Sequence, residues 1–460
     1  MEKTNSKKRF KKSTIIKIIF LLYILTLCST WAISMKYNNF IGPPDERMKY
    51  DVCKYIYENK TLPHGGDEQI RDEIWGLSYG FTPILSYMFS AVFMKITSVF
   101  TSNTDIIFIS SRFVSVICMV MYAFMNILIS KKLFKDKIYR YLFVALVTLL
   151  PQVVFLGSYL NNDALALLSI SVIVYSWLIG LEKDWNYKSC ILLGIGIGVC
   201  ALSYYNAYGY ILLSVIMYFT SNLIKKISIK TILKKGLIIS AIAFLIAGWW
   251  FIRSIVLYNG DFLGLDTSRK YGELYAQEQY KPSNRSTPAK MNTPITSMLF
   301  DQKWIKTTID SFIGYYGHMS IRMNDYIYLG YNIIFIIAII GILFKLFKKI
   351  INRIKQKIDK EDKKEIGKNQ KEKRLLNIIM FISIIIPIFL SIYYSYYSDF
   401  QPQGRYIMPI IIPFMYFIVK GIKTIADKLV KNCKIKNTIL ESIICVWVIM
   451  PVIIYFVYIK

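Results

Sequence analysis

The stretch TIIKIIFLLYILTLCSTWAISMKYNNFIGPPDE, residues 14–46, indicates how this chain folds. Its first part, residues 14–34, is apolar and long enough to cross the hydrocarbon core as one α-helix. Two adjacent carboxylates, Asp45 and Glu46, then follow a Pro-Pro pair. Ionisable side chains are costly to keep near lipid, so they mark a functional site by default. The stretch therefore predicts a membrane protein with an acidic pair beside the bilayer.

The same apolar pattern recurs along the whole chain of 460 residues, of which 55% are hydrophobic. This composition predicts an all-α, polytopic integral membrane protein with about 11–12 transmembrane helices. The candidate segments are 14–34, 81–100, 105–130, 139–158, 163–181, 189–203, 207–222, 236–257, 326–347, 375–394, 405–422 and 438–459.

The positive charges indicate the orientation of these segments. The chain has 57 Lys and Arg against 29 Asp and Glu, a net charge of +28. Nucleic-acid binding is one explanation, but the cations cluster in short loops between apolar segments, as cytoplasmic loops do. We therefore expect no nucleic-acid partner, and loops that contact the anionic cytoplasmic leaflet. The clusters are Lys3–Lys12, Lys131–Arg140, Lys225–Lys235, Lys345–Arg374 and Lys423–Lys436.

The cluster at Lys131–Arg140 constrains the topology. With a cytoplasmic N-terminus, full crossings by both 81–100 and 105–130 would carry this cluster outside the cell. We therefore predict about eleven full crossings, with the segment 81–100, which contains Pro83, re-entrant or lying along the surface. Irregular backbone at membrane depth is tolerated where protein or a wet cavity covers it.

This topology divides the chain into three parts. Residues 1–257 form an N-terminal transmembrane catalytic module with an extracytoplasmic loop at 35–80. Residues 258–325 are too long for a simple connector and are predicted to form an extracytoplasmic cap. Residues 326–460 hold the C-terminal transmembrane helices and a basic cytoplasmic loop at 345–374. We expect a multi-pass cell-membrane protein with an extracytoplasmic active site.

Two acidic positions are candidates for catalysis. The loop 35–80 holds 8 of the 29 acids, and the apolar run Phe40–Pro44 keeps Asp45 close to the membrane. A partly desolvated carboxylate there could be tuned as a general base. Asp163, in Asn161-Asn162-Asp163, lies at the outer end of an apolar segment. It is either a helix N-cap or a second acid in the same cavity, and the two roles are compatible.

Three further side chains are candidates for binding. Arg405, in Gln403-Gly404-Arg405-Tyr406, stands at the outer start of a segment. Its forked guanidinium suits phosphate, although it could also reach the interface as a snorkelling side chain. Arg112 is a weaker candidate for the same role. His64 precedes Gly65-Gly66 in the acidic loop and is either a ligand or a structural residue.

The layout resembles the GT-C class of polytopic glycosyltransferases, which includes protein O-mannosyltransferases and lipid A aminoarabinose transferases. The matching parts are Asp45-Glu46, Phe81-Thr82-Pro83, Asn162-Asp163, and Gly404-Arg405-Tyr406 with Pro409. A lysine common in the class has no clear match, because Tyr204-Tyr205-Asn206 stand at its place.

The resemblance implies transfer of a sugar from a polyprenyl-phosphate donor to an extracytoplasmic acceptor hydroxyl. Asp45 would be the general base, Glu46 would orient the acceptor or support Asp45, and Asp163 would be a second acid in the cavity. Arg405 would hold the donor phosphate. Tyr406, Arg112 and His64 are further candidates for substrate binding from their places in the sequence. The acceptor, a glycan, lipid or protein, stays open, as does the sugar. No cofactor or metal ligand is assigned, but the carboxylates could hold a divalent cation, so metal dependence also stays open.

Two alternatives remain at this point. A transporter or flippase of lipid-linked sugars would need polar residues at mid-membrane and paired broken helices. A non-catalytic subunit of a polysaccharide assembly complex would share the layout without the chemistry. The usage of Ile, Lys, Asn and Tyr suggests a bacterial cell-envelope protein.

Overall fold

The structure is a computed structural model that describes residues 2–35, 42–358 and 367–460. The beginning of the run Phe40–Pro44 and the middle of the basic loop 345–374 lie outside the described residues.

Helices dominate the described chain. The α-helices are α1 Glu2–Ser34, α2 Glu46–Asn59, α3 Leu85–Thr97, α4 Thr104–Ser111, α5 Phe113–Leu133, α6 Lys137–Thr148, α7 Pro151–Leu156, α8 Asp163–Glu182, α9 Tyr187–Ala201, α10 Gly209–Ile224, α11 Ile229–Leu257, α12 Leu265–Tyr275, α13 Ile295–Phe300, α14 Trp304–Ile313, α15 Asp325–Ile358, α16 Lys368–Tyr397, α17 Ile411–Leu429 and α18 Cys433–Ile454. Two short antiparallel strands, β1 Tyr315–Tyr316 and β2 Ile321–Arg322, pair with Tyr315 opposite Arg322.

The all-α, polytopic membrane class is confirmed. Within the described ranges, nine helices are long and apolar enough to cross a membrane. They are Thr14–Ser34, Thr104–Leu133, Asp163–Glu182, Tyr205–Ile224, Ile229–Leu257, Asp325–Asn352, Lys368–Tyr397, Gly404–Leu429 and Cys433–Ile459. Two further apolar helices, α3 and α9, are shorter, with 13 and 15 residues. Helix α3 lies in the segment 81–100, which is predicted not to cross the membrane completely.

The predicted segment 139–158 is not one helix. It is divided into α6 and α7, and Pro151 stands at the first turn of α7. Proline fixes its own φ, lacks an N–H and disfavours helical geometry in the residue before it, so it ends one helix and begins the next.

Helices α5, α9 and α10 pack against α8, whose spanning stretch is 78% buried inside the protein. Helix α9 lies between α8 and α11, and glycines permit this approach. A Cβ at Gly196 would lie 2.9 Å from Ile173 of α8, and one at Gly194 would lie 2.9 Å from the carbonyl oxygen of Ile239 of α11. Small residues let helix backbones come close where lipid provides no hydrophobic driving force.

Gly404 fixes the segment that carries Arg405. The 3-10 turn Gly404–Ile410 lies against α14, and Gly404 N donates a hydrogen bond of 2.7 Å to Ser311 Oγ. A Cβ at Gly404 would lie 2.1 Å from Phe312 N, so a side chain does not fit there. The turn is thus held in one place beside the N-terminus of α2.

Candidate active site

Asp45 immediately precedes α2 and has a left-handed backbone with φ 59°. Its side chain does not cap the helix. Instead, Asp45 Oδ2 accepts a hydrogen bond of 2.6 Å from Arg405 Nη2. The Asp45 side chain is 29% exposed, whereas that of Arg405 is only 8% exposed. The carboxylate is therefore half-buried, paired, and open on one side.

The pKa of Asp45 is lower than the sequence analysis led us to expect for a general base tuned by partial desolvation. Burial alone would raise the pKa of this carboxyl, as expected for a tuned base, but the charges of Arg405 and Lys49 outweigh burial. Together they hold the pKa of Asp45 well below its ordinary value. In this state Asp45 is ionised at neutral pH and is a weak base.

Lys49 is a member of the site that sequence reasoning missed. Its side chain is 2% exposed, and its ammonium lies 3.9 Å from Asp45 Oδ2 and donates a 3.4 Å hydrogen bond to the Pro44 carbonyl. Burial lowers the pKa of Lys49, and Asp45 opposes this shift. The signal was present in the spacing, because residues four apart lie on the same face of a helix.

Arg405 has an unused donor. Its Nη2 also donates to Tyr406 Oη at 3.1 Å, and the guanidinium lies 5.0 Å from the centre of the Tyr406 ring. Its Nε is buried and has no hydrogen-bond partner among the residues that the structure describes. Buried donors are almost always paired, so an unpaired N–H on a guanidinium suggests a bound anion.

Asp163 belongs to the same cluster. It is the first residue of α8 and is 6% exposed. The positive charges of Arg405 and Lys49 attract the Asp163 carboxylate most strongly, and the negative charge of Asp45 repels it. The helix is capped by Asn161 instead, whose Oδ1 accepts a 2.9 Å hydrogen bond from Ala164 N. The Asp163 side chain therefore faces the cluster and is not needed for capping.

Glu46 and Arg112 form a separate buried ion pair. Arg112 Nε and Nη2 donate to Glu46 Oε1 and Oε2 at 2.8 and 2.6 Å. Arg112 Nη1 donates to the carbonyls of Ala32 and Met35, and Leu160 N donates to Glu46 Oε1. Both side chains are at most 2% exposed. This pair ties α1, α2 and the turn before α8 together and has no face toward solvent.

Tyrosines surround the charged cluster. The Lys49 ammonium lies 5.2 Å from the centre of the Tyr79 ring and 5.7 Å from that of Tyr159. Burial, and then the negative charge of Asp45, raise the pKa of Tyr79 well above its ordinary value. The Tyr79 phenol therefore stays protonated and can donate a hydrogen bond to Asp45 or to a ligand.

His64 lies outside this cluster. Its Nδ1 accepts a 3.0 Å hydrogen bond from Gly66 N, and its backbone N donates to Asp67 Oδ2. Its ring packs 5.1 Å from Tyr258 in a group of aromatic side chains that also contains Phe81 and Tyr271. No described contact joins His64 to Asp45.

The site favours anions over a divalent metal ion. Among the described residues, no group of three or more His, Cys, Asp or Glu side chains could hold a metal. Asp45 Oδ2, a potential ligand, is occupied by the guanidinium of Arg405, and the Lys49 ammonium lies beside it. Two carboxylates that already face two cations do not fit a divalent cation, whereas the cations fit a phosphate.

Comparison with known proteins identifies a family. Residues 58–414 match the family described as "Predicted membrane protein (DUF2142)". No curated protein matches the sequence.

Solved structures of an archaeal membrane enzyme share the fold. The chain is similar to the oligosaccharyltransferase of Archaeoglobus fulgidus tethered to an acceptor peptide, with a TM-score of 0.52, 13% identity, and coverage of 94% of this chain and 54% of that chain. For the same enzyme with an inhibitory peptide and a dolichol-phosphate, the TM-score is 0.51, the identity 12% and the coverage 94% and 55%. ArnT from Cupriavidus metallidurans matches with a TM-score of 0.41, 11% identity and coverage of 92% and 81%.

The chain thus spans about half the length of the archaeal enzyme. The fold shared with the archaeal enzyme agrees with the fold expected from the resemblance.

Proposed function

The chain belongs to the DUF2142 family of membrane proteins, and on the basis of its GT-C fold and charged site we propose that it is a glycosyltransferase that uses polyprenyl-phosphate sugars. The observation that carries this proposal is the contact between Asp45 and Arg405, with Lys49 and Asp163 beside it. It joins a candidate base and a phosphate-binding cation in one site.

The donor phosphate binds to Arg405 and Lys49. Arg405 offers its unpaired Nε, and Lys49 supplies a second buried cation from the facing helix. Charge-assisted hydrogen bonds from these groups stabilise the phosphate as negative charge develops on the leaving group. Lys49 supplies the cation that the sequence lacks at Tyr204-Tyr205-Asn206.

Donor binding also activates Asp45. The phosphate competes with Asp45 for Arg405, so the carboxylate loses the contact that lowers its pKa, while the effect of burial remains. Asp45 then becomes a stronger base. The acceptor hydroxyl oxygen attacks the anomeric carbon, its proton passes to Asp45, and the bond between that carbon and the phosphate oxygen breaks. The products are the glycosylated acceptor and the polyprenyl phosphate.

The remaining candidates act around this centre. Asp163 and Tyr79 hold the acceptor hydroxyl next to Asp45, which the charges and the burial of these groups support. Glu46 and Arg112 position the N-terminus of α2 and do not contact substrate. His64 shapes the loop under the cap.

We place the site on the extracytoplasmic side, with the N-terminus in the cytoplasm. Helix α5 supports this arrangement, because Arg112 precedes it while Lys131 and Lys132 lie in its last turn. A rise of 1.5 Å per residue separates Arg112 from Lys131 by about 28 Å, close to the thickness of the hydrocarbon core. Lys131 and Lys132 thus lie at the end of α5 opposite Arg112, which pairs with Glu46 next to Asp45, and this separation supports a cytoplasmic position for their loop.

The test is turnover by the purified protein alone. The protein in lipid nanodiscs is incubated with a panel of polyprenyl-phosphate sugars and hydroxyl acceptors, and the release of polyprenyl phosphate is measured. We expect release that depends on one donor and on an acceptor. If no member of the panel is consumed while the protein carries lipid-linked sugars across vesicle membranes, the transporter alternative replaces this proposal.

A further inference from the structure

A second cavity lies at the basic end of the molecule, remote from Asp45. It has a volume of about 220 Å³ and is formed between α1, α5, α6 and α18. Lys17, near the start of the first span, and Lys131, near the end of α5, both line it. This is the end of α5 opposite Arg112, so the cavity is separate from the proposed catalytic site.

Four cations line this cavity and no acid does. They are Lys17, Lys131, Lys137 and Arg140, and among the described residues that form the lining there is no Asp or Glu. The sequence explains why, since residues 3–44, 113–135 and 137–162 contain no acid. The positive charge of the cavity is therefore a property of the helices that build it.

The cations are close enough to repel one another. Lys131 lies within interaction range of the Lys17 ammonium and the Arg140 guanidinium, both like charges. Arg140 is held in place by hydrogen bonds of 2.7 Å from its Nε and Nη2 to the carbonyls of Phe134 and Lys135. Neither contact neutralises its charge. Lys17 and Arg140 are half-buried whereas Lys131 is exposed, so water screens part of this repulsion, and an anion bound among the three cations would relieve the rest.

Neighbouring acids compensate this charge only in part, because Asp136 lies within interaction range of the Arg140 guanidinium. Asp136 pairs with Lys423 at 2.5 Å and lines an adjacent cavity together with Glu441. Neither acid lines the cavity between α1 and α5. The lining therefore carries a net positive charge that a bound anion can balance.

The walls of the cavity are apolar and open toward lipid. Phe20, Val144 and Val448 form part of the lining. Ile16 and Tyr141, at the rim, are 42% and 46% exposed on helices that meet the membrane. A free inorganic anion would satisfy the cations but leave these walls uncovered. A ligand with an anionic head and apolar chains matches both features.

We propose that this cavity binds an anionic phospholipid of the surrounding leaflet, with its phosphate between Lys17 and Lys131 and its acyl chains along α1 and α18. Basic pockets between transmembrane helices at the cytoplasmic side are suited to such headgroups. The lipid neutralises the repulsion and fastens α1 to α5, and α1 also supplies the carbonyls that hold Arg112.

The test uses the purified full-length protein and competitive binding of phosphatidylglycerol, followed by native mass spectrometry. Wild type is expected to retain phosphatidylglycerol and not phosphatidylcholine. The double variant Lys17→Gln/Lys131→Gln is expected to bind phosphatidylglycerol about 30-fold more weakly, since each cation contributes about fivefold. Lys135→Gln, in the same loop but outside the lining, is the matched control and should bind as wild type does.

A second variant separates binding from folding. Lys17→Arg/Lys131→Arg keeps both charges and should retain the lipid. Equal retention of phosphatidylglycerol and phosphatidylcholine by wild type would overturn the proposal, as would unchanged binding by the Gln variant. Displacement of the lipid by inorganic phosphate alone, or preference for polyprenyl phosphate over phosphatidylglycerol, would also overturn it, because the occupant would then be a different phosphate. None of these results depends on sugar transfer.

Discussion

Arg405 Nη2 donates a hydrogen bond to Asp45 Oδ2, and this 2.6 Å contact joins residues 360 positions apart in the chain. It brings the start of α2 against the turn before α17. The pair is open on the side of Asp45 and closed on the side of Arg405. An anion that enters from the open side would therefore meet Asp45 first and compete with it for the guanidinium.

Replacement of Arg405 tests the phosphate-binding role. Arg405→Ala is expected to lower kcat/KM for the donor about 100-fold, because a preorganised, desolvated cation is lost from the developing phosphate charge. Arg405→Lys should recover only part of this loss, since an ammonium lacks the fork of a guanidinium. Arg269→Ala, at an exposed position of α12, is the control. Unchanged donor kinetics in Arg405→Ala would exclude the role.

Replacement of Glu46 tests the buried ion pair. Glu46→Gln leaves the charge of Arg112 uncompensated, so we expect a loss of about 3–5 kcal/mol in the free energy of unfolding. Thermal inactivation of the purified protein measures this effect. Glu58→Gln is the control, because Glu58 is 53% exposed and pairs only at the surface with Lys54.

The double variant Glu46→Met/Arg112→Met should be more stable than Glu46→Gln, because it removes both charges and preserves packing. A stable and inactive Glu46→Gln would contradict the structural role and return Glu46 to the catalytic centre.

The crossing of α15 and α17 depends on Gly421. A Cβ at this position would lie 1.9 Å from the Ala338 carbonyl oxygen, so Gly421→Ala should force the helices apart and sharply lower the melting temperature. Gly330 lies on α15, whereas Gly421 lies on α17. A Cβ added at Gly330 would have no atom within 4 Å. Gly330→Ala should therefore leave the protein as stable as wild type or stabilise it by up to about 1 kcal/mol. Equal melting temperatures for the two variants would refute the close crossing.

Asp51 should make stability depend on pH. Burial raises the pKa of Asp51 to about 6, although Arg47 and Lys54 oppose the shift. The folded state then binds a proton more tightly than the unfolded state, whose pKa is about 3.9. The resulting loss in the free energy of unfolding is absent below pH 4, grows as the pH rises to 6 and is constant above pH 6.

Asp51→Asn is therefore expected to stabilise the protein by about 3 kcal/mol at pH 8, because the two pKa values differ by about two units, and to have little effect at pH 4. Thermal unfolding at both values measures this difference. If Asp51→Asn and wild type are equally stable at pH 8, the Asp51 carboxylate is well solvated in the folded protein.

The sequence was sufficient for the class of fold. Apolar segments of membrane length and basic loops predicted an all-α membrane protein, because both signals are local. The break in the segment 139–158 was also signalled locally, by Pro151, and should have been predicted. The short α9, Tyr187–Ala201, agrees with the predicted segment 189–203, but its place between α8 and α11 could not be anticipated, because it depends on tertiary contacts of its glycines.

The residues of the candidate site were easier to predict from the sequence than the contacts between them. Asp45, Asp163 and Arg405 were singled out because polar residues at the ends of apolar segments are conspicuous. The ion pair between Glu46 and Arg112 could not be predicted from the sequence, because 66 residues separate the two and nothing local indicates the contact. Lys49 was overlooked because a lysine in a charged loop resembles a solvated residue until the fold buries it. The domain boundaries remain predictions.

The role of Asp45 is tested most directly by sugar transfer in Asp45→Asn, measured beside wild type with the donor identified from the panel. The amide keeps the shape of the side chain but cannot take the proton of the acceptor. We predict that the rate of transfer falls about 100- to 10,000-fold while the donor still binds. Transfer at the wild-type rate by Asp45→Asn would contradict the account.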